Sequence, residues 1–264
     1  MIPLASAEYR YTYYFNPKSA SSTYRSLFVE LHRGELPGEV NGAVDIHNAF
    51  QHFHPMAIGR SCNSFSYTIV RHPFPRMVSA YLDKCVEINA PVEQRFRKQD
   101  HMQWIFKPVF GFLGRAPNFD QGFSFIEFLR YLEQALRQRR PLDIHFEPQW
   151  NAKFALDAYY RIEDPIEDLL AIYRTIFEES FDQLDLERRI RETANNKLNR
   201  SFGEQLQPIY AGESLAGMNF AGLNSLMQQG LRFTYENFMT DESKSLISAI
   251  YAQELKAYDY SPDR

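Results

Sequence analysis

The sequence predicts an α/β fold: one domain, residues 1–264, with a mostly parallel central sheet flanked by helices. Short β-prone runs alternate along the chain with stretches whose apolar residues recur at helical spacing. No internal repeat interrupts that alternation. The composition, 44% hydrophobic with 14 Pro and 12 Gly in 264 residues, is ordinary for a globular protein. A chain of this length buries one large core without needing disulfides or a metal.

The elements follow in order. Tyr11-Thr12-Tyr13-Tyr14-Phe15 reads as a short buried strand, and Asn16 to Thr23 as a loop of mostly small residues. A helix through Leu27, Phe28 and Leu31 stops at Gly34. Residues 35–64 are read as irregular. Tyr67-Thr68-Ile69-Val70 is the second strand and leads through Arg71 and His72 to Pro73, a residue suited to the first turn of a helix. Phe74, Met77, Val78, Tyr81, Leu82 and Cys85 then share one helical stripe. Residues 91–123 carry no clean period and several Pro and Gly, which reads as a loop-rich insertion or lid. Ser124 and Glu127 form a capping box for a helix through Phe128, Leu129, Leu132 and Leu136. The third strand, Ala158 to Ile162, precedes a helix that starts at Asp164-Pro165 and runs through Leu169, Ile172, Tyr173 and Ile176. Residues 183–193 suit a polar helix, and a last helix runs from Thr240 to Leu255.

Charge and cysteine content exclude several classes. A net charge of −4 gives no global positive field for nucleic acid. The cations are 21 Arg against 8 Lys, and Arg grips phosphate with a planar fork; high-GC codon usage gives the same excess. Cys62 and Cys85 form no CxxC pair, so neither a disulfide scaffold nor a structural zinc site is expected. No apolar run reaches the roughly 18 residues of a membrane span, and the first residues do not resemble a secretory signal. A soluble, cytoplasmic protein with no integral membrane segment is the expectation.

Two segments carry the chemistry. Lys18-Ser19-Ala20-Ser21-Ser22-Thr23 stands between a strand and a helix, where ligands of parallel sheets bind. Its small side chains let backbone N–H groups approach a phosphate, the hydroxyls add donors, and Lys18 adds charge. By spacing alone, the same residues also make an ordinary Ser-capped helix with a surface lysine. There is no Walker A pattern. The second segment follows the second strand: Arg71 leaves the strand and Ser79 comes about two helical turns later, so both are expected to grip one phosphate.

Together the segments resemble the sulfotransferases that use 3′-phosphoadenosine 5′-phosphosulfate (PAPS, leaving PAP), and most of all their carbohydrate branch. That family's P-K-x-[AG]-x-[ST]-[ST]-aromatic loop for the 5′-phosphosulfate is matched by Pro17, Lys18, Ala20, Ser22, Thr23 and Tyr24. Its R-x-P-[FY]-x-R-x-x-S-x-Y segment for the 3′-phosphate is matched by Arg71, Pro73, Phe74, Arg76, Ser79 and Tyr81. Looser similarities are His145-Phe146-Glu147-Pro148-Gln149 to H-x-x-P-Q and Arg161-Ile162-Glu163 to a strand ending in [KR]-x-E. Asn199-Arg200-Ser201 is similar to V-N-R-[ST], and Ala257-Tyr258-Asp259-Tyr260 to the F-x-x-F/Y-x-Y ending. The likeness spans residues 11–260 and implies a P-loop-like sulfotransferase fold.

The resemblance implies roles. Lys18 would contact the bridging oxygen, Ser19 to Thr23 would hold the 5′ end, Tyr24 would stack on adenine, and Asn199 with Arg200 would add cofactor contacts. No metal is expected. The acceptor is a hydroxyl of a glycan or glycolipid, and its base is expected at His47, with Glu147 and His145 next. His52 and His54 have no third ligand at fitting spacing. Two other readings stay open: a kinase-like nucleotide phosphotransferase, and a nucleotide-binding module without chemistry.

Overall fold

The computed structural model describes residues 1–6, 8–32, 53, 65–87, 102–151, 156–193 and 208–261. In chain order the elements are β1 (Ile2–Ser6), β2 (Tyr11–Phe15), α1 (Ser21–Leu31), β3 (Phe65–Val70), α2 (Pro73–Lys84), α3 (Lys107–Phe112) and α4 (Phe125–Arg137). They continue as β4 (Ala158–Arg161), α5 (Ile166–Phe177), α6 (Ser180–Gln183), α7 (186–193), α8 (Phe220–Gln228), α9 (Asp241–Ile250) and α10 (Ala252–Ala257). Contacts group them into two compact units, Met1–Arg71 with Gln149–Gly203, and His72–Pro148 with Glu204–Arg264.

The first unit holds the sheet, in the order β1-β2-β3-β4. β2, β3 and β4 are parallel, and β1 runs antiparallel along β2. The α/β expectation therefore holds, with one strand added. β1 escapes sequence reading because Pro3 lies inside it; as an edge strand bonded on one side, it tolerates a residue with no N–H. Strand periodicity puts Tyr11, Tyr13 and Phe15 on one face. They join Tyr67, Ile69 and Tyr160, with Leu27 and Phe28 of α1 and Leu169, Tyr173 and Phe177 of α5, in one buried cluster. Two of its hydroxyls are partnered locally: Tyr67 donates to Tyr173 at 3.0 Å, and the Tyr11 hydroxyl meets His32 Nε2 at 2.6 Å. Burial, reinforced by the neighbouring Tyr173, pushes the Tyr13 and Tyr67 phenols well up, so both stay neutral.

The second unit is a helical body around Phe74, Met77, Tyr81, Phe128, Leu132, Phe238, Ile247 and Tyr251. The expected capping box is present: Ser124 Oγ accepts the Glu127 N–H at 3.2 Å, and the Glu127 carboxylate accepts the Ser124 N–H at 2.7 Å. Three elements differ from the sequence reading. Met102–Phe106 is a π turn running into α3, within the stretch read as loop-rich. Helix α8 has Gly222 in its first turn, which hides it, and Asn219 caps it. The last helix is broken at Tyr251, the C-cap of α9 and N-cap of α10.

Candidate active site

The carboxyl ends of β2 and β3 lie at the same edge of the sheet, because the two strands are parallel neighbours. The loop 16–20 leaves one end and Arg71 the other, the place where open parallel sheets bind ligands. The loop is bolted down from beneath. Asn16 is buried, and its side-chain amide donates to Thr68 Oγ1 at 2.9 Å and to the Ile69 carbonyl at 3.2 Å. Lys18 and Ala20 both take positive φ, 67° and 54°, a conformation that L-residues adopt at a cost of about 1–2 kcal/mol. Such a backbone turns its N–H groups toward a common concavity.

Ala20 is the N-cap of α1 and brings no side-chain cap, and no acidic residue stands in the helix's first turn. The positive end of an 11-residue helix therefore meets no anion from its own first turn. Cations gather there instead. Lys18 is half-buried, and Arg25, whose guanidinium lies 4.7 Å over the Phe15 ring, donates to the Ser21 carbonyl at 3.3 Å. Burial holds the Arg25 guanidinium below its ordinary value. A cation one turn into a helix opposes the dipole unless an anion is to arrive. That mismatch was the signal by which the sequence marked Arg25, and sequence reasoning missed it.

Arg71 closes the arrangement: its Nη1 donates to the Lys18 carbonyl at 3.5 Å. The two segments, 53 residues apart, thus meet at one point. Gln149, 1% exposed, joins them from below. Its Oε1 accepts the Arg71 N–H at 2.9 Å and the Ser19 hydroxyl, and its Nε2 donates to the Arg71 carbonyl at 2.7 Å. The loop thus gathers three cations, Lys18, Arg25 and Arg71, near the positive end of α1, an arrangement suited to an anion.

Two of the expected cofactor residues turn inward. Ser19 is fully buried and its hydroxyl donates to Gln149. Tyr24 is 4% exposed and packed in the first unit's core, which leaves its ring no open face for adenine. Ser21 and Thr23 remain half-buried, and Ser22 exposed, at the helix start. The helix ends at Leu31, short of Gly34.

Within the second unit, His72 serves as the N-cap of α2: its Nδ1 accepts the Phe74 N–H at 3.2 Å, so Nε2 carries the proton toward the Ser261 carbonyl at 3.0 Å. Ser79 is half-buried on that helix. Arg76 points inward instead, donating to the carbonyls of His145 and Glu147. The His145 ring donates from Nδ1 to Asp143 at 2.6 Å, and the Glu147 side chain is exposed. Burial pushes the Asp143 carboxyl up, but the two hydrogen bonds from His145 outweigh it and hold it below the usual carboxylate range. His47, Asn199 and Arg200 lie outside the described residues. Among the described residues, no group of three or more His, Cys, Asp or Glu is placed to hold a metal ion, and no helix is long and apolar enough to cross a membrane.

The model of the sulfotransferase family matches residues 6–261, nearly the whole chain. The chain belongs to the sulfotransferase family. Sulfuryl transfer is accordingly its class of reaction. No curated protein and no solved structure matches the chain.

Proposed function

We propose that the chain transfers the sulfuryl group of PAPS to a hydroxyl of a carbohydrate or glycolipid acceptor in the cytoplasm. The observation that carries this reading is the junction of Arg71 with the Lys18 carbonyl, which gathers two phosphate-binding segments at the carboxyl edge of one sheet. A nucleotide charged at both its 3′ and 5′ positions needs two such segments. Backbone N–H groups at the start of α1, with the hydroxyls of Ser21, Ser22 and Thr23, hold the 5′ end. Lys18 places its ammonium at the bridging oxygen, where charge grows as the bond breaks. Arg71 takes the 3′-phosphate, and Asn199 and Arg200 complete the nucleotide contacts. Transfer then rests on positioning and charge neutralisation, with no metal.

The acceptor's proton goes to His47, with Glu147 and His145 as the other candidate bases. The His145 Nδ1–H donates to Asp143, which fixes the orientation of the ring. Transfer of labelled sulfate from PAPS to a panel of sugar and glycolipid acceptors tests the reading, and no product with any acceptor would sink it. The same assay on His47→Ala and His145→Ala assigns the base.

Arg71→Ala is expected to weaken PAP binding about tenfold or more while 5′-AMP binding hardly moves, since a charge-assisted hydrogen bond contributes roughly 1.5–3 kcal/mol. Titration calorimetry giving equal losses for both nucleotides would remove Arg71 from the 3′-phosphate.

A further inference from the structure

We infer that Gln149 is a positioning residue which sets Arg71 against the Lys18 loop and so supports recognition of the 3′-phosphate; the inference rests on the PAPS reading above. The geometry of one amide carries it. β3 ends at Val70, which pairs with Arg161 of β4. At the next residue, Gln149 supplies from its side chain what a neighbouring strand would give: an acceptor for the Arg71 N–H at 2.9 Å and a donor to the Arg71 carbonyl at 2.7 Å. Two bonds to the backbone of one residue fix the side-chain amide's orientation and, through it, the backbone from which the guanidinium extends. The same Oε1 also accepts the Ser19 hydroxyl. Ser19 stands between Lys18 and Ala20, the two residues of positive φ. One oxygen thus shares donors from both phosphate segments.

Three facts separate this from ordinary core satisfaction. Gln149 is 1% exposed, so its amide must be partnered, yet its described bonds go to the two anion-binding segments. Ser19 is itself fully buried, and its hydroxyl donates to this same amide oxygen. Finally, Arg71 also donates to the Lys18 carbonyl, so a change in either segment is felt by the other. Gln149 touches neither phosphate. Its effect is exerted through Arg71.

Calorimetric titration of the full chain with PAP and with 5′-AMP tests this, using the ratio of the two affinities as the readout. Wild type is expected to prefer PAP. Gln149→Met, which keeps the volume and loses the amide, should shrink that preference about tenfold although Arg71 is intact. In an Arg71→Ala background, Gln149→Met should change the ratio little, because the residue through which it acts is gone. Ser19→Ala, a mild change that keeps the fold if Gln149→Met does not, should shrink the preference about threefold. A loss of fold stability alone would lower both affinities together and leave the ratio alone. Preference retained in Gln149→Met or in Ser19→Ala, or independent losses in the double variant, would overturn the inference by itself. A wild type that binds PAP and 5′-AMP alike would instead overturn the PAPS reading, and this inference with it.

Discussion

Replacing Lys18 by alanine is expected to lower kcat for sulfuryl transfer by about 10²–10³-fold, the usual cost of removing one charge-stabilising donor from a reacting centre. The substitution is a clean one. Lysine and alanine carry the same penalty at the positive φ of this position, so the variant removes the ammonium without relaxing the backbone. The carbonyl that receives Arg71 also stays in place. PAP affinity should therefore fall far less than turnover, because the ammonium is assigned to the oxygen on which charge develops in the transition state. Steady-state kinetics with saturating PAPS, beside calorimetry with PAP, separates the two. A variant that loses affinity and turnover in equal measure would make Lys18 a binding residue only.

The second large effect concerns Arg76, which the sequence places inside the 3′-phosphate segment and the structure places in the core. Its side chain and that of Glu254 are 1% and 0% exposed and pair at 3.4 Å. The guanidinium also lies 4.9 Å from the centre of the Tyr251 ring, and its Nη1 donates to the Glu147 carbonyl at 3.2 Å. Tyr251 in turn donates to the Phe146 carbonyl at 2.7 Å, so residues 145–147 are held by an arginine and a tyrosine together. Arg76→Met leaves a buried carboxylate without its cation and should cost about 3–5 kcal/mol of stability, read by urea denaturation. The double change Arg76→Met with Glu254→Leu should recover much of that loss, because desolvation of both charges offsets most of their attraction. A single variant within 1 kcal/mol of wild type would show the pair to be solvated rather than buried.

The parts of the fold that were legible in the sequence have local causes. β2, β3 and β4 announce themselves by β-prone aromatic and branched runs, and α2, α4 and α5 by apolar stripes behind Pro73, Ser124 and Pro165. β1 and α8 do not, because Pro3 and Gly222 break the local rule and tertiary pairing overrides it. The same division runs through the site. Lys18 and Arg71 stand out in the sequence because they follow the carboxyl ends of strands, where parallel sheets bind ligands. The inward turn of Ser19 and Tyr24 is not legible, because a motif states which residue types occur, not which way they point. Ser19 faces Gln149, and Tyr24 faces the core. Gln149 stands in the H-x-x-P-Q likeness, but nothing local says what it bonds. Its partners lie 78 and 130 residues away, and only the folded chain brings them together.

The positive φ angles at Lys18 and Ala20 have a consequence for binding energetics. Glycine would adopt these angles freely, but would also adopt many others, and a free loop must give up that freedom each time a ligand arrives. With a lysine and an alanine in their place, and with Asn16 and Ser19 pinned below, the loop gives up its freedom during folding instead. The protein carries this as lower stability at all times, whether or not nucleotide is present. In return, the cradle is preorganised, and little of the ligand's binding energy is consumed in ordering it.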